Sequence, residues 1–346
     1  MIDVKIEKTP NSSVAIKGEL AEKEFSSYRS KALEVLKSEI KIDGFRPGHA
    51  PLEMVANKAG EEKVLFTMAD LAIKDIYPTI IKDNKIDAIG RPNITITKLA
   101  FGNPLGFTII TAITPEFTLP KNYLEISKKE IAKIEKPAEI IEEDVLKAIA
   151  TARQQKKMSQ EKDIPEKDKK TDLSPLNDSV AQEFGFKDLI EMKQKVKENM
   201  TQIEKNKYLD KKKSAVIKKL ANQTNIDLPL ILIESELEKM LNELKGQIEA
   251  SGLKFEDYLN HLKKSEEELK ETWKPDAIIR IKAALIIEKI AEQEQIKAEP
   301  DEIDKEVNRL AKYYNQEFDE ITKKQLSKMT TRAIINEKTL ELLIKE

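Results

Sequence analysis

Apolar and polar positions change period along this chain, and the changes mark its parts. Ile2, Val4 and Ile6 alternate with polar residues, which predicts a half-buried strand. After Asn11-Ser12-Ser13 the run Val14–Ile16 is placed to pair back on it as a hairpin. From Ala21 to Ile40 the apolar residues Phe25, Tyr28, Ala32, Val35, Leu36 and Ile40 fall on one helical face. A second helix is predicted from Glu61 to Lys82, with Val64, Leu65, Met68, Leu71, Ala72 and Ile76 inward. The period then returns to two: Ile94 and Ile96 alternate with threonines, and Phe107–Ile113 is β-branched and apolar. Gly102-Asn103-Pro104-Leu105-Gly106 between them reads as the turn of a second hairpin. Strands at both ends with helices between them predict a compact α+β domain over 1–115.

Beyond it, residues 121–135 read as extended, and Pro137 is placed to open a helix over about 138–158. The stretch from Gln160 to Asp172 is charged and nearly free of apolar residues, which predicts a solvated linker. From 178 to 346 almost everything reads as helix. Ile233, Leu237, Met240, Leu241, Leu244 and Ile248 form one stripe after Pro229, ending near Ser251-Gly252. Phe255–Leu262 is a short amphipathic helix, and Ser265 with Glu268 fits a capping box. Ala277–Ile296 is strongly apolar, Pro300-Asp301 opens another helix, and a last one runs from about 327. The predicted organisation is therefore α+β: the domain 1–115, an extended linker with a helix over 116–158, a charged linker over 159–177, and an all-α domain of long helical arms over 178–346.

Composition narrows the function. The 346 residues hold 60 Lys+Arg, 62 Asp+Glu, no Cys, and two His, His49 and His261. Thiolate metal sites, disulfide scaffolds and a Cys nucleophile are excluded, and a multi-histidine metal site has too few ligands. No apolar run approaches the roughly 18 residues that span a bilayer, and the start lacks a signal-peptide pattern, so a cytoplasmic location is expected. Acidic runs such as Glu142-Glu143-Asp144 and Glu266-Glu267-Glu268 read as solvated helix faces, because adjacent helical residues diverge. The Lys211-Lys212-Lys213 run lacks the interleaved aromatics of a base-stacking surface. Nothing assembles a catalytic constellation, and no cofactor is expected.

One loop departs from this uniform picture. Between the first two predicted helices lies Lys41-Ile42-Asp43-Gly44-Phe45-Arg46-Pro47-Gly48-His49-Ala50-Pro51. Two Gly and two Pro within eight residues define a fixed backbone. Phe45 and Arg46 sit inside it, an apolar ring for a small pocket beside a guanidinium suited to forked bonds with phosphate or carboxylate. The same residues also suit an ordinary connection with Phe45 tucked beneath it.

Gly44-Phe45-Arg46-Pro47-Gly48-His49-Ala50-Pro51 resembles the ribosome-docking loop of the trigger factor family, bacterial chaperones that work where nascent chains emerge. The likeness extends through Glu62–Asp83, Gly90-Arg91-Pro92, Phe107–Pro115, the segment Leu228–Glu236 and Ala277–Glu294. It implies an ATP-independent chaperone that binds the large ribosomal subunit and nascent or unfolded polypeptides, without a membrane partner, and it leaves a homodimer open for the ribosome-free protein. Phe45 and Arg46 correspond to the family's docking pair, with Gly44, Pro47, Gly48, His49 and Pro51 around them. Where the family often has Lys after the Arg, this chain has Pro47, and a later basic position holds His49, whose imidazole carries little charge at neutral pH. Loss of up to two cations weakens the salt-dependent part of any RNA contact.

The larger departure is a deletion. Family members carry an FKBP-type prolyl isomerase domain of roughly 100 residues, and the interval 159–178 cannot hold one. The expectation is a non-enzymatic chaperone; the alternatives are a ribosome-free helical clamp or assembly chaperone, residual peptidyl-prolyl isomerase activity, and a periplasmic chaperone with similar arms. By part, residues 1–115 hold 16 Lys+Arg against 15 Asp+Glu and the remainder 44 against 47. Neither part is a polycation, so any RNA contact rests on Arg46 and shape.

Overall fold

A computed structural model describes residues 4–46, 48–160 and 175–345. Seventeen elements follow in order: β1 (Val4–Thr9), β2 (Ser13–Leu20), α1 (Glu22–Ser26), α2 (Tyr28–Glu39), α3 (Leu52–Ala59), α4 (Glu61–Asp83), β3 (Ala88–Lys98), β4 (Leu105–Ile113), α5 (Tyr123–Ile131), α6 (Glu142–Gln160), α7 (Asp178–Glu183), α8 (Leu189–Gln223), α9 (Leu230–Ala250), α10 (Phe255–Leu262), α11 (Glu266–Gln293), α12 (Pro300–Tyr314) and α13 (Glu320–Ile344). The expected α+β class holds, with one small sheet and a helical remainder.

The chain forms two compact units, each assembled from two stretches: 1–118 with 224–284, and 119–223 with 285–346. Each unit thus joins stretches far apart in the chain: Ser12 bonds to Asp227 and Gly90 meets Ile231 in the first, and α13 packs on α5 and α8 in the second.

In the first unit the strands pair antiparallel in the order β1-β2-β4-β3. Both predicted hairpins are present, and β2 and β4 bring them together edge to edge. Asn11 and Ser12 turn the first hairpin at φ 60° and 41°, the left-handed region that Asn tolerates best among side-chain residues. Ile16, Leu105, Phe107 and Ile109 face the helices and are buried. In α4 the buried residues Val64, Met68, Ala72, Ile76 and Ile80 recur every fourth position, a stripe laid against α2 and the sheet. Pro78 lies on the exposed side of α4, where its missing N–H leaves no buried acceptor waiting. Tyr77 reaches into the core to share a 2.9 Å hydrogen bond with Thr111, which satisfies the buried threonine hydroxyl.

Two features seat the start of α9 on this domain. Ser12 donates its N–H to an Asp227 carboxylate oxygen at 2.8 Å and its hydroxyl to the Asp227 carbonyl at 2.6 Å. Gly90, at φ +69° in the irregular start of β3, lies so close to Ile231 that a Cβ there would stand 2.8 Å from its Cγ1. Both the backbone angle and the close approach require glycine at this position. Gly90→Ala is expected to weaken this seat by about 1–3 kcal/mol. Faster hydrogen exchange of the amides at 228–233, with the sheet amides unchanged, is the expected readout. The remainder of the unit is a helical limb in which Leu241, Ile248 and Phe255 pack with Leu244, Tyr258, Leu259 and Trp273. The expected capping box is present: the Ser265 N–H donates to Glu268 at 2.9 Å, and the Glu268 N–H donates to the Ser265 hydroxyl at 3.2 Å.

The second unit is all helical. Val145, Ile149, Ala181 and Met192 join α6, α7 and α8. Tyr123, on α5, is buried and donates its hydroxyl to Glu294. Burial and that carboxylate push the phenol up to about 12. Lys193 pairs with Glu142 at 2.7 Å, holding that carboxylate below its usual range.

Several sequence expectations are corrected. Residues 121–135 are not extended: Tyr123, Ser127 and Ile131, four apart, are the buried face of α5. The first predicted helix breaks at Ser27 into α1 and α2. The helix expected from Pro137 begins at Glu142, where Asp144 accepts the Ile141 N–H. Asp319 caps α13 seven residues before its expected start, accepting from the Thr322 N–H at 2.7 Å. Pro229 is the N-cap of α9 rather than its first residue. Most of the charged linker, 161–174, lies outside the described residues.

Candidate functional site

The loop over 40–51 joins α2 to a short helix, α3, that the hydropathy pattern did not announce; α4 follows only after Gly60. Leu52–Ala59 is too short for a stripe, and its single fully buried residue is Val55. Pro51 (φ −59°) stands at its N-cap and accepts the Val55 N–H at 3.1 Å.

The ends of the loop are anchored in the core and its centre is not. Ile40, Ile42 and Leu52 pack against the domain core, and Ala50 is buried. Between them two turns follow each other: the Phe45 N–H donates to the Ile42 carbonyl at 3.1 Å, and the His49 N–H to the Arg46 carbonyl at 3.0 Å. In each turn the third residue is a glycine at positive φ, Gly44 at +85° and Gly48 at +83°, the pattern of a type II turn. Open space surrounds both α-carbons, so backbone angle alone selects glycine there. The Gly48 N–H also donates to the Lys37 carbonyl at 3.1 Å, tying the loop to the last turn of α2. Pro47 lies outside the described residues.

This backbone presents Phe45 and Arg46 outward. Phe45 is 40% exposed, and Arg46 is exposed with no ion pair among the described residues. His49 is exposed as well. The reading in which Phe45 is tucked under the loop therefore does not fit. Elsewhere on α2, α3 and α4, Val35 (38%), Met54 (43%) and Phe66 (55%) are also exposed. Val35 and Phe66 share an open groove with Glu39, Glu61, Glu62 and Asp70. Sequence reading passed over Phe66; its signal was a large aromatic lying outside the Val64-Met68-Ala72 stripe.

The other sequence candidates do not assemble into a site. His261 is exposed on α10, and the described residues contain no group of His, Cys, Asp and Glu placed to hold a metal. The lysine run on α8 disperses: Lys212 is buried against the Tyr208 ring and Lys213 pairs with Glu337. No helix among the described residues is long and apolar enough to cross a membrane.

Comparison with known proteins gives a consistent picture. Residues 2–152 match the family described as "Bacterial trigger factor protein (TF)", and residues 188–345 match "Bacterial trigger factor protein (TF) C-terminus". The curated trigger factor of Carboxydothermus hydrogenoformans is 24% identical, with 98% of this chain and 97% of that protein covered. That of Clostridioides difficile is 25% identical, with 91% of each covered. The alignment to the former runs over 416 positions, more than the 346 residues of this chain, so the relative carries segments this chain lacks. A solved structure described as "Promiscuous Substrate Recognition in Folding and Assembly Activities of the Trigger Factor Chaperone" superposes with a TM-score of 0.55 at 18% identity, covering 99% of both chains.

Proposed function

The chain belongs to the bacterial trigger factor family, and from that premise we propose that it is an ATP-independent, cytoplasmic chaperone of protein folding that docks near the exit of the large ribosomal subunit and shelters emerging chains. The observation that carries this reading is the Phe45–Arg46 tip: an apolar ring and a guanidinium without an ion pair among the described residues, presented by two glycine turns that are tied back to α2. The ring is the apolar anchor and the guanidinium the forked polar one; Gly44, Gly48 and Pro51 hold the turn, and His49 flanks the tip. Client binding is reversible burial of apolar segments on scattered exposed residues such as Tyr313, Tyr314, Ile321 and Met329. Contacts that are individually weak and shallow suit many sequences at once.

The same proposal excludes prolyl isomerisation by this polypeptide. The two family matches leave residues 153–187 between them, far short of the roughly 100 residues that an enzymatic domain takes. One refolding assay tests both halves. With a denatured client whose slow phase is limited by a proline bond, the protein is expected to suppress aggregation severalfold without ATP. The rate of the slow phase is expected to stay unchanged. Acceleration of that phase at catalytic ratios overturns the non-enzymatic reading, and undiminished aggregation overturns the chaperone reading.

A further inference from the structure

Within the second compact unit, the end of α5 and the residues after it, the middle of α8 and the end of α13 enclose a recess of about 330 Å³. That volume lies at the small end of the range for ligand pockets, enough for one large side chain and a polar head. Its apolar wall is Ile131, Ala132 and Ile134. Its polar wall is Lys128, Lys136 and Lys345, and no carboxylate of the described residues lines it. Glu130, the acid nearest along α5, is turned to Lys133 at 2.6 Å. None of the three lining lysines has an ion-pair partner among the described residues. The ends of α5 and α13 each contribute about half a negative charge. Among the described residues, three ammoniums against two such ends leave a positive balance at the recess. Like charges gathered this way repel, and an anion removes the repulsion. Tyr208 lines the recess as well, and the Lys212 ammonium lies 4.6 Å from its ring centre.

We propose that this recess binds the α-carboxylate end of a polypeptide whose last side chain is apolar. A bare anion meets the lysines and leaves the Ile131, Ala132 and Ile134 wall wet, whereas an internal Asp or Glu carries its charge at the tip of the side chain. A chain ending in Leu or Phe holds carboxylate and apolar group on one carbon, which matches cations and apolar wall side by side. The choice of a polypeptide end over a free organic acid rests on the chaperone reading; the anion chemistry does not.

The test is fluorescence anisotropy on the full chain, with a dye-labelled heptapeptide ending in Leu as free acid and the same peptide as C-terminal amide. The acid is expected to bind at least tenfold more tightly, and the Lys128→Gln/Lys136→Gln double variant to erase the difference while leaving amide binding unchanged. Both lysines are exposed, so the variant keeps its fold, checked by circular dichroism. Equal affinities, or a preference that survives the double variant, overturn the proposal. Displacement by hexanoate or inorganic phosphate at the concentration of unlabelled peptide assigns the recess to a free anion and overturns the polypeptide part. Aggregation suppression is measured on the same variant. Retained suppression with lost carboxylate preference supports the proposal, and failure of suppression in the wild type counts against the chaperone reading alone.

Discussion

Replacing Phe45 and Arg46 together by alanine is expected to reduce co-sedimentation with ribosomes by at least about tenfold, with the melting behaviour unchanged. A docked aromatic and a forked arginine are the residue types that dominate interfaces, each worth about 2 kcal/mol or more when truncated, and about 1.4 kcal/mol is tenfold in affinity. The fold is spared because neither side chain supports the core: Phe45 is 40% exposed, and the loop is held by Ile40, Ile42, Ala50 and backbone bonds. Salt discriminates further. If Arg46 makes the main contact to RNA phosphate, wild-type binding falls only about three- to fourfold between about 50 and 200 mM salt, the change for one released counterion. A steep salt dependence that survives the double substitution places docking on another basic surface, and undiminished co-sedimentation overturns the site.

The second large effect concerns stability. Phe107 is 1% exposed on β4, paired across from Gly18 on one side and Ile96 on the other. Gly18 has no side chain to refill the space, so Phe107→Ala leaves a cavity that the sheet cannot close. A loss of about 3–5 kcal/mol is expected. In urea, followed by hydrogen exchange to resolve the two units, the sheet amides are expected to lose protection at lower denaturant while the α6–α8 amides keep theirs. A loss below about 1 kcal/mol means that the ring is not the centre of this core.

Much of this architecture is legible in the chain because its periods are clean. The stripe at Ile233, Leu237, Leu241 and Ile248 and the Ser265–Glu268 box lie where pattern and capping chemistry put them. What escaped is of two kinds. Short helices such as α3 and α5 bury only one to three residues each, too few for a period to show in sequence. Pairings across the chain leave no local signal at all. Nothing near Ser13–Leu20 shows that it lies against Leu105–Ile113, and nothing near Gly90 shows that Ile231 comes to rest on it. The loop was legible for the opposite reason, since Gly44 and Gly48 mark its turns locally; the tie from Gly48 to Lys37 was not.

The seat made by Ser12 and Gly90 has a consequence for the birth of the molecule. All four strands lie within the first 113 residues, so the sheet can close early in synthesis. The segment that fills the seat, Asp227–Ile231, follows the whole of 119–223. At about 5–20 residues per second, the ribosome needs on the order of 10 s to reach it. During that interval the young domain carries an empty berth for its own later sequence.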